Sequence, residues 1–325
     1  MEARKLSDYN HQNKDKPCSD DVKTRKKPGF SDLITATRPW SFTASIVPVF
    51  LGASLAYKAE SVFSSIVFLT TIVTVVSIHA AGNLVNTYLD FKNGVDGKDS
   101  NDLTLVNGIL LPENVMNLTF VFYVIAAVGV VMLLFLSPAQ IEHLVCLFLC
   151  GLISSYLYTG GLGLKYVAMG DILIFLTFGP LTVLFCYLCQ TGHLSLIPLI
   201  YSIPLAQNIE AILHSNNARD TESDRQAGII TLAILLGPSL SYWLFFCLLF
   251  TPYLIYLIVG ILYCRWLLLP VCSVLLVFTL EKDFRCRNLK LMPQKVAQLN
   301  LIMGILYVLA VLLAQPASLP YLSYN

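Results

Sequence analysis

Two acid-rich stretches of this sequence carry residues that could hold divalent cations. The first contains Asp90 and Asp96, and the second contains Asp220 and Asp224. Magnesium prefers hard oxygen ligands and is usually bound by one or two carboxylates together with substrate phosphates. Bound metal also neutralises the charge that develops on a departing phosphate. The residue types therefore predict a diphosphate that docks through Mg²⁺ between the two stretches.

Polar side chains lead into both stretches at helical spacing. At about 100° per residue, one narrow stripe contains His79, Asn83, Asn86 and Asp90. By the same count, a second stripe contains Gln207, Glu210, His214, Asn217, Asp220 and Asp224. Polar groups are costly in hydrocarbon, so they normally face the interior of a helix bundle or a wet cavity. We therefore expect both stripes to line one chamber.

The elements that must position these side chains are long apolar segments. The chain has 325 residues, of which 56% are hydrophobic and 13% are charged. Soluble domains have roughly a quarter charged residues, so this composition indicates an all-α polytopic membrane protein. Nine runs approach the ~20 residues that a transmembrane helix needs. Their approximate ranges are 38–57, 62–88, 115–137, 140–159, 168–189, 194–214, 237–261, 265–280 and 297–315.

The distribution of Lys and Arg predicts which helix ends face the cytosol. If the N-terminus is cytosolic, 19 of the 21 Lys and Arg residues lie on the cytosolic side, and only Lys58 and Arg265 lie opposite. This asymmetry follows the positive-inside rule and places both acid-rich stretches at cytosolic helix ends. Residues 1–33 are polar and mixed in charge, which predicts a disordered cytosolic tail before one transmembrane domain at 34–325. No nucleic-acid partner is expected.

Longer motifs accompany the two acid-rich stretches. The first stretch reads Asn86-x-x-x-Asp90-x-x-x-x-x-Asp96, and the second reads Asn216-x-x-x-Asp220-x-x-x-Asp224. Other motifs are TRPWSF at 37–42, YTGGLGLKY at 158–166, GDILIFLTFGP at 170–180 and AILHSNNARDTESDRQAGIITLA at 211–233. From about residue 33 onward, this pattern resembles the UbiA superfamily of intramembrane aromatic prenyltransferases. Within that superfamily it is most similar to the menaquinone-forming animal branch.

The resemblance implies a bundle of nine transmembrane helices with an active chamber that faces the cytosol. An isoprenyl diphosphate would bind there with two Mg²⁺ ions, one held by Asp90 and Asp96 and the other by Asp220 and Asp224. Loss of diphosphate would give an allylic carbocation, which the electron-rich ring of a reduced naphthoquinone would attack. For the animal branch, the implied donor is geranylgeranyl diphosphate, the implied acceptor is menadiol, and the product is menaquinone-4.

The resemblance also implies roles for other polar and aromatic residues. Amide side chains would orient carboxylates, waters or phosphate oxygens, and these are Asn83, Asn86, Asn216 and Asn217. Cations would steady the leaving diphosphate, and these are Lys165, Arg219 and Arg225. The ring of Tyr158 could stabilise a carbocation, or it could be a tyrosine of the membrane interface. Asp171 is a buried acid that could line the pocket or join helices by hydrogen bonds.

Two other functions are open on the sequence. Polar stripes in a bundle also build transport pathways, but transporter sites tend to lie near the bilayer midplane, whereas these acids cluster at one face. The fold could instead bind an isoprenyl diphosphate and regulate a membrane partner, such as a sterol-pathway reductase. Leu103 keeps that alternative open, because the animal branch usually has Arg there. The family implies endoplasmic reticulum and Golgi membranes, with mitochondrial membranes as the alternative location.

Overall fold

The computed structural model describes residues 28–97 and 100–322, and this part of the chain is a bundle of helices. An isolated bridge between Val167 and Ile230 is the one extended pairing within it. Backbone polar groups must find partners inside a bilayer, and a helix satisfies them within its own segment. The all-α prediction is confirmed for the described residues.

Twelve α-helices follow one another along the described part of the chain. The first begins at Phe30, within the tail predicted at 1–33, and residues 1–27 of that tail lie outside the described part. The helices are α1 (Phe30–Ala36), α2 (Thr43–Glu60), α3 (Ser65–Lys92), α4 (Pro112–Leu136), α5 (Ile141–Leu157), α6 (Gly170–Leu176), α7 (Thr182–Thr191), α8 (Ile197–Arg219), α9 (Thr221–Gln226), α10 (Leu232–Leu262), α11 (Val274–Arg285) and α12 (Met292–Leu313).

Six segments of the described chain are long and apolar enough to cross a membrane, so this is a multi-pass membrane protein. They are Pro39–Glu60, Ser65–Lys92, Pro112–Leu136, Gly170–Thr191, Leu232–Leu262 and Met292–Leu313. A seventh, α5, is apolar but shorter. The predicted spans at 194–214 and 265–280 are also helical, at α8 and at 265–285. They do not reach the same length and apolarity. In α8 the reason is a row of polar side chains.

The two helices that carry the acid-rich stretches lie in the middle of the bundle. α3 packs along α4 and also contacts α2, α5 and α7. α8 packs along α10 and α12 and contacts α6 and α7. The largest core cluster includes Tyr187, Phe245 and Tyr256. The outer faces expose large apolar side chains such as Phe135 and Leu275, as expected for helices surrounded by lipid.

A π-helical turn interrupts the membrane segment between α6 and α7. It spans Thr177–Leu181 and contains Pro180, which has no backbone N–H to donate. Gly179 in this turn packs so closely on α8 that an added Cβ would overlap Ala206. Phe178, in the same turn, lines the central cavity. The same turn therefore packs closely against α8 and forms part of the cavity wall.

Candidate active site

Both acid-rich stretches line one cavity of about 500 Å³ between α3 and α8. Ten of the predicted site residues line it, namely Asn83, Asn86, Asp90, Asp96, Tyr158, Lys165, Asn216, Arg219, Asp220 and Asp224. Along α3 the wall changes from apolar Val75 through His79 to Asp90 at the helix end. Phe148 and Phe185 extend the apolar part. The cavity thus joins an acidic end to an apolar interior.

The carboxylate of Asp90 is held by the loop that follows α5. Lys165 Nζ lies 2.6 Å from Asp90 Oδ2, and the hydroxyl of Tyr166 donates to Asp90 Oδ1 at 2.8 Å. Lys165 also donates to Asn86 Oδ1 at 3.2 Å. Gly161 and Gly163 adopt φ values of 56° and 57°, which glycine reaches at little cost. These turns bring the loop back onto α3.

The carboxylate of Asp220 is held at the end of α8. Arg219 donates from Nε and Nη2 to its two oxygens, at 2.8 and 2.7 Å. The same Nη2 donates to Asn216 Oδ1 at 2.7 Å. Asn101, from the loop after α3, donates to Asp220 Oδ1 at 2.6 Å. This last bond connects the loop after α3 directly to the second acid-rich stretch.

Asp96 and Asp224 differ from their partners, because no hydrogen bond from a described residue reaches their carboxylates. Burial, together with the like charges of Asp90 and Asp102, raises the pKa of Asp96 to about 7. Burial also raises the pKa of Asp224 to about 6, with Asp220 and Asp90 adding to the rise against the charge of Lys165. Carboxylates crowded in this way are stabilised by a cation between them.

The donor set fits magnesium that shares its ligands with a substrate. Across 28–97 and 100–322, no three Asp, Glu, His or Cys side chains converge as a complete metal site. Magnesium needs no such cage, because it usually keeps waters and binds one or two carboxylates plus phosphates. The four aspartates therefore suit Mg²⁺ ions completed by a diphosphate.

An ion pair that the sequence did not reveal holds the loop after α3 over the cavity. Arg38 donates to Asp102 Oδ2 at 2.7 Å, and Thr87 donates to the same oxygen at 2.7 Å. Burial alone would raise the pKa of Asp102, but the charge of Arg38 and these hydrogen bonds hold it below its usual value. Arg38 has φ 55°, a rare conformation for a residue with a side chain. Arg38 lies in the motif TRPWSF, which was the available signal for its importance. That motif does not identify Asp102 as its partner.

The predicted stripe on α8 needs correction. Of its six residues, only Asp220 and Asp224 line the cavity, and Asn216 lines it instead of Asn217. The reason is that α8 faces the cavity with Ile209, Ile212 and Asn216, and Asp220 follows one turn after Asn216 on the same face. Asp224 reaches the cavity from the short α9. The other four residues, Gln207, Glu210, His214 and Asn217, lie on a neighbouring face and do not line the cavity.

Asp171 and Asn217 belong to a buried polar cluster behind the cavity. Asn217 Nδ2 donates to Asp171 Oδ2 at 3.5 Å, and His214 Nδ1 lies 3.8 Å from Asp171 Oδ1. His214 Nε2 lies 2.9 Å from both the hydroxyl and the carbonyl oxygen of Ser241. The cluster thus connects α6, α8 and α10. For Asp171 this position matches the helix-joining role rather than the pocket-lining one.

Arg225 also lies away from the predicted site. It is on α9 and faces a separate cavity, where it lies 3.7 Å from Glu222. Its predicted contact with the diphosphate in the central cavity is therefore not supported by its position. The neighbouring Asp224 does line the central cavity, so α9 forms the partition between the two spaces.

The sequence matches the UbiA prenyltransferase family over residues 45–291, a range that includes all four candidate metal ligands. This chain belongs to the UbiA prenyltransferase family. It is therefore a membrane-embedded prenyltransferase, as the motif resemblance predicted. The match covers both acid-rich stretches and the loop that carries Lys165, whereas Gln294 and the lining residues up to Ala44 lie outside it.

Animal UbiA proteins are similar over most of their length. UbiA prenyltransferase domain-containing protein 1 of Danio rerio is 52% identical over 289 residues, which cover 89% of this chain and 86% of that protein. The Homo sapiens protein of the same name is 48% identical over 290 residues, covering 89% and 86%. The Drosophila melanogaster homologue is 49% identical over 280 residues, covering 85% and 78%.

Solved structures of archaeal UbiA homologues share the fold. An apo structure from Aeropyrum pernix K1 has a TM-score of 0.64 at 13% identity, covering 82% of this chain and 97% of that one. A homologue from Archaeoglobus fulgidus, described as bound to GPP and Mg²⁺, has a TM-score of 0.59 at 15% identity, covering 86% and 99%. The UbiA fold of this chain is thus supported by sequence and structure.

Proposed function

We propose that this UbiA-family enzyme transfers a geranylgeranyl group from its diphosphate to menadiol, a reduced naphthoquinone, and forms menaquinone-4. The main support is a single cavity that joins two carboxylate pairs and the cations of Lys165 and Arg219 to a long apolar wall. The acidic end suits a diphosphate bound through metal, and the apolar wall suits an isoprenyl chain. The choice of donor and acceptor follows the resemblance to the animal branch.

The acidic end of the cavity would bind the diphosphate. Asp90 and Asp96 would hold one Mg²⁺ ion, and Asp220 and Asp224 would hold the other. Bound magnesium would supply neutralisation of the charge that develops on the leaving diphosphate. Lys165 would act from the same end, because an ammonium group has three N–H donors and only part of them is used by Asp90 and Asn86.

Arg219 and the amide side chains would complete the diphosphate site. Arg219 has five N–H donors in a planar fork, a geometry that matches phosphate oxygens. Asn86 Oδ1 accepts hydrogen bonds from Thr159 and Lys165. These two bonds fix the orientation of the amide and therefore the direction of its NH₂ group. Asn83 donates to the carbonyl oxygen of Thr37 and would position the chain before α2 rather than the phosphate.

The remaining residues would direct the chemistry after the diphosphate leaves. The bond between the allylic carbon and the diphosphate oxygen breaks, and its electron pair leaves with the diphosphate. Tyr158 lines the cavity and would present its ring to the resulting carbocation. A ring carbon of the quinol then attacks, and the proton on that carbon is lost to restore aromaticity. Apolar side chains such as Phe148 and Phe178 would exclude water, which would otherwise capture the cation.

Topology and location are also part of this proposal. We place nine helices across the membrane, with the N-terminus and the acidic end of the cavity in the cytosol, because Lys and Arg are concentrated on that side. The family resemblance favours endoplasmic reticulum and Golgi membranes. A sterol-pathway reductase in the same membrane is the protein partner that this resemblance suggests.

Regulation by bound isoprenyl diphosphate, without turnover, is the second candidate function. Leu103 favours it, because an apolar side chain lines the cavity at a position where the animal branch usually has Arg. One fewer guanidinium group would weaken contact with the diphosphate or the loop. The four carboxylates serve binding as well as catalysis, so only an assay of product formation separates the two functions.

The direct test uses purified protein in liposomes with geranylgeranyl diphosphate and menadiol, with and without magnesium. The Asp90→Ala, Asp220→Ala double variant removes one ligand from each stretch, and Asp283→Ala removes a surface carboxylate as the control. We expect menaquinone-4 from the wild type and the control only with magnesium, and none from the double variant. Magnesium-dependent diphosphate binding without product would favour the regulator. If the folded protein shows no diphosphate binding and forms no product, both functions are contradicted.

A further inference from the structure

A second cavity lies beside the candidate active site, on the opposite side of α9. It has a volume of about 310 Å³ and is walled by α8, α9, the first turns of α10 and the turn after α11. The charged residues that line it are Arg219, Arg225, Arg287 and Glu222. Asp220 already pairs with Arg219, so Arg225 and Arg287 against Glu222 leave this space with a net positive charge. The space therefore suits an anion.

The guanidinium groups retain donors for such an anion. Arg219 uses Nε and Nη2 on Asp220 and Asn216, and its Nη1 has no hydrogen bond to a described residue. Arg225 lies 3.7 Å from Glu222, which is longer than a hydrogen bond. Arg287 forms no side-chain hydrogen bond or ion pair within the described ranges. Guanidinium groups match phosphate oxygens in geometry and charge.

The backbone around the cavity adds one feature of an anion site. α10 is interrupted at Gly237, which adopts φ 68° and ψ 175°, and helical structure resumes at Pro238. Both residues line the cavity, so the start of a long helix, where backbone dipoles favour negative charge, lies at its wall. Arg287, directly after the cap of α11, has φ 60°, the left-handed conformation that often ends a helix, and it brings the chain to the cavity wall.

We propose that this cavity binds a phosphate group, carried either by a lipid headgroup or by a free phosphate. The site is separate from the diphosphate site proposed above, and it does not depend on prenyl transfer. Arg219 lines both cavities, so a phosphate bound here would contact the residue that holds Asp220. Glu222 would move away from Arg225 when the phosphate binds. The site therefore offers a physical connection between an anion at the membrane surface and the candidate metal ligands.

Hydrogen–deuterium exchange of the full-length protein tests this site through peptides that cover 221–228 and 285–290. In one arm, protein in neutral detergent is titrated with inorganic phosphate, without magnesium. In the other, phosphatidylcholine nanodiscs are compared with nanodiscs that also contain phosphatidic acid. The test variant is Arg225→Gln with Arg287→Gln. The matched control is Lys282→Gln with Lys290→Gln, which removes two exposed cations near the same turn but outside the cavity.

We expect slower exchange of both peptides when the phosphate probe is present, in the wild type and in the control. The test variant should need at least about tenfold more probe, because it loses two charge-assisted contacts. Protection by inorganic phosphate would assign a free anion, and protection only with phosphatidic acid would assign a lipid headgroup. No protection in either arm would overturn the proposal. Equal protection of the test variant, or equal loss in the control, would overturn it as well.

Discussion

At the scale of single residues, each acid-rich stretch has one carboxylate with a cationic partner and one without such a partner among the described residues. Lys165 pairs with Asp90, and Arg219 pairs with Asp220. Burial, and then the like charges of Asp90 and Asp102, raise the pKa of Asp96. Protons and metal ions therefore compete at Asp96, whereas the paired carboxylates have a cation in place.

Replacing Lys165 by Gln should lower kcat/KM for geranylgeranyl diphosphate by about 100-fold, the usual loss when one charge-stabilising donor is removed from an active site. Steady-state prenyl transfer in liposomes measures it. Lys295→Gln is the matched control, because Lys295 forms an equally short ion pair of 2.6 Å with Asp283, outside the cavity. Unchanged kcat/KM in Lys165→Gln would show that this lysine does not act on the diphosphate.

Magnesium affinity should depend on pH through Asp96. Because the pKa of this carboxyl is about 7 without metal, a proton must leave before the metal binds at or below that pH. The apparent Kd for magnesium should rise as pH falls below about 7, by about tenfold per unit for one displaced proton. Calorimetry in buffers of different ionisation enthalpy counts the protons released. Asp96→Asn should bind magnesium more weakly and lose the slope near pH 7, and a wild-type Kd that is constant across this range would contradict the assignment.

At the scale of elements, the sequence predicted the wall formed by α3 better than the wall formed by α8. α3 continues to Lys92, so His79, Asn83 and Asp90 keep one helical phase and share the cavity. α8 ends at Arg219, and the short α9 then sets the direction of Asp224. Helical spacing cannot predict such a change of direction, because the turn depends on contacts with other parts of the chain.

The π-helical turn between α6 and α7 makes a prediction at this scale. Gly179→Ala should lower stability by about 1–3 kcal/mol, the usual cost of overpacking, because the new Cβ would overlap Ala206 on α8. Gly151→Ala on α5 is the matched control, since its Cβ would meet only Leu181 Cδ2 at 3.9 Å. Thermal unfolding of both variants in one detergent measures the difference. Equal melting temperatures for the two variants would contradict this prediction, because α8 would then shift at this contact without a loss of stability.

At the scale of the whole molecule, apolar runs predicted where the helices lie, but the sequence did not predict long-range pairs. Each predicted run contains helix in the described chain, because about 20 apolar residues can satisfy the backbone within lipid only as a helix. Arg38 and Asp102 are 64 residues apart, and nothing in their local patterns connects them. Likewise, Asn101 was not singled out, although it contacts Asp220.

The two ends of the bundle differ in a way that tests the predicted orientation. His193 lies 2.8 Å from Glu60, which joins the loop after α7 to the end of α2, and both are predicted to face away from the cytosol. In a background without the nine native cysteines, Glu222→Cys should react with a membrane-impermeant maleimide outside sealed microsomes. His193→Cys should react only after permeabilisation. Labelling of both positions in sealed vesicles, or the reverse pattern, would contradict the orientation.

The central claim is that the two acid-rich stretches together bind a diphosphate through metal ions. The most direct measurement is an anomalous diffraction map of the protein with Mn²⁺ in place of Mg²⁺ and a non-reactive thiodiphosphate analogue of the donor. We predict two manganese peaks, one at Asp90 and Asp96 and one at Asp220 and Asp224, with the diphosphate between them and the isoprenyl chain along the apolar wall. A diphosphate bound elsewhere, or bound without metal at these aspartates, would contradict the claim.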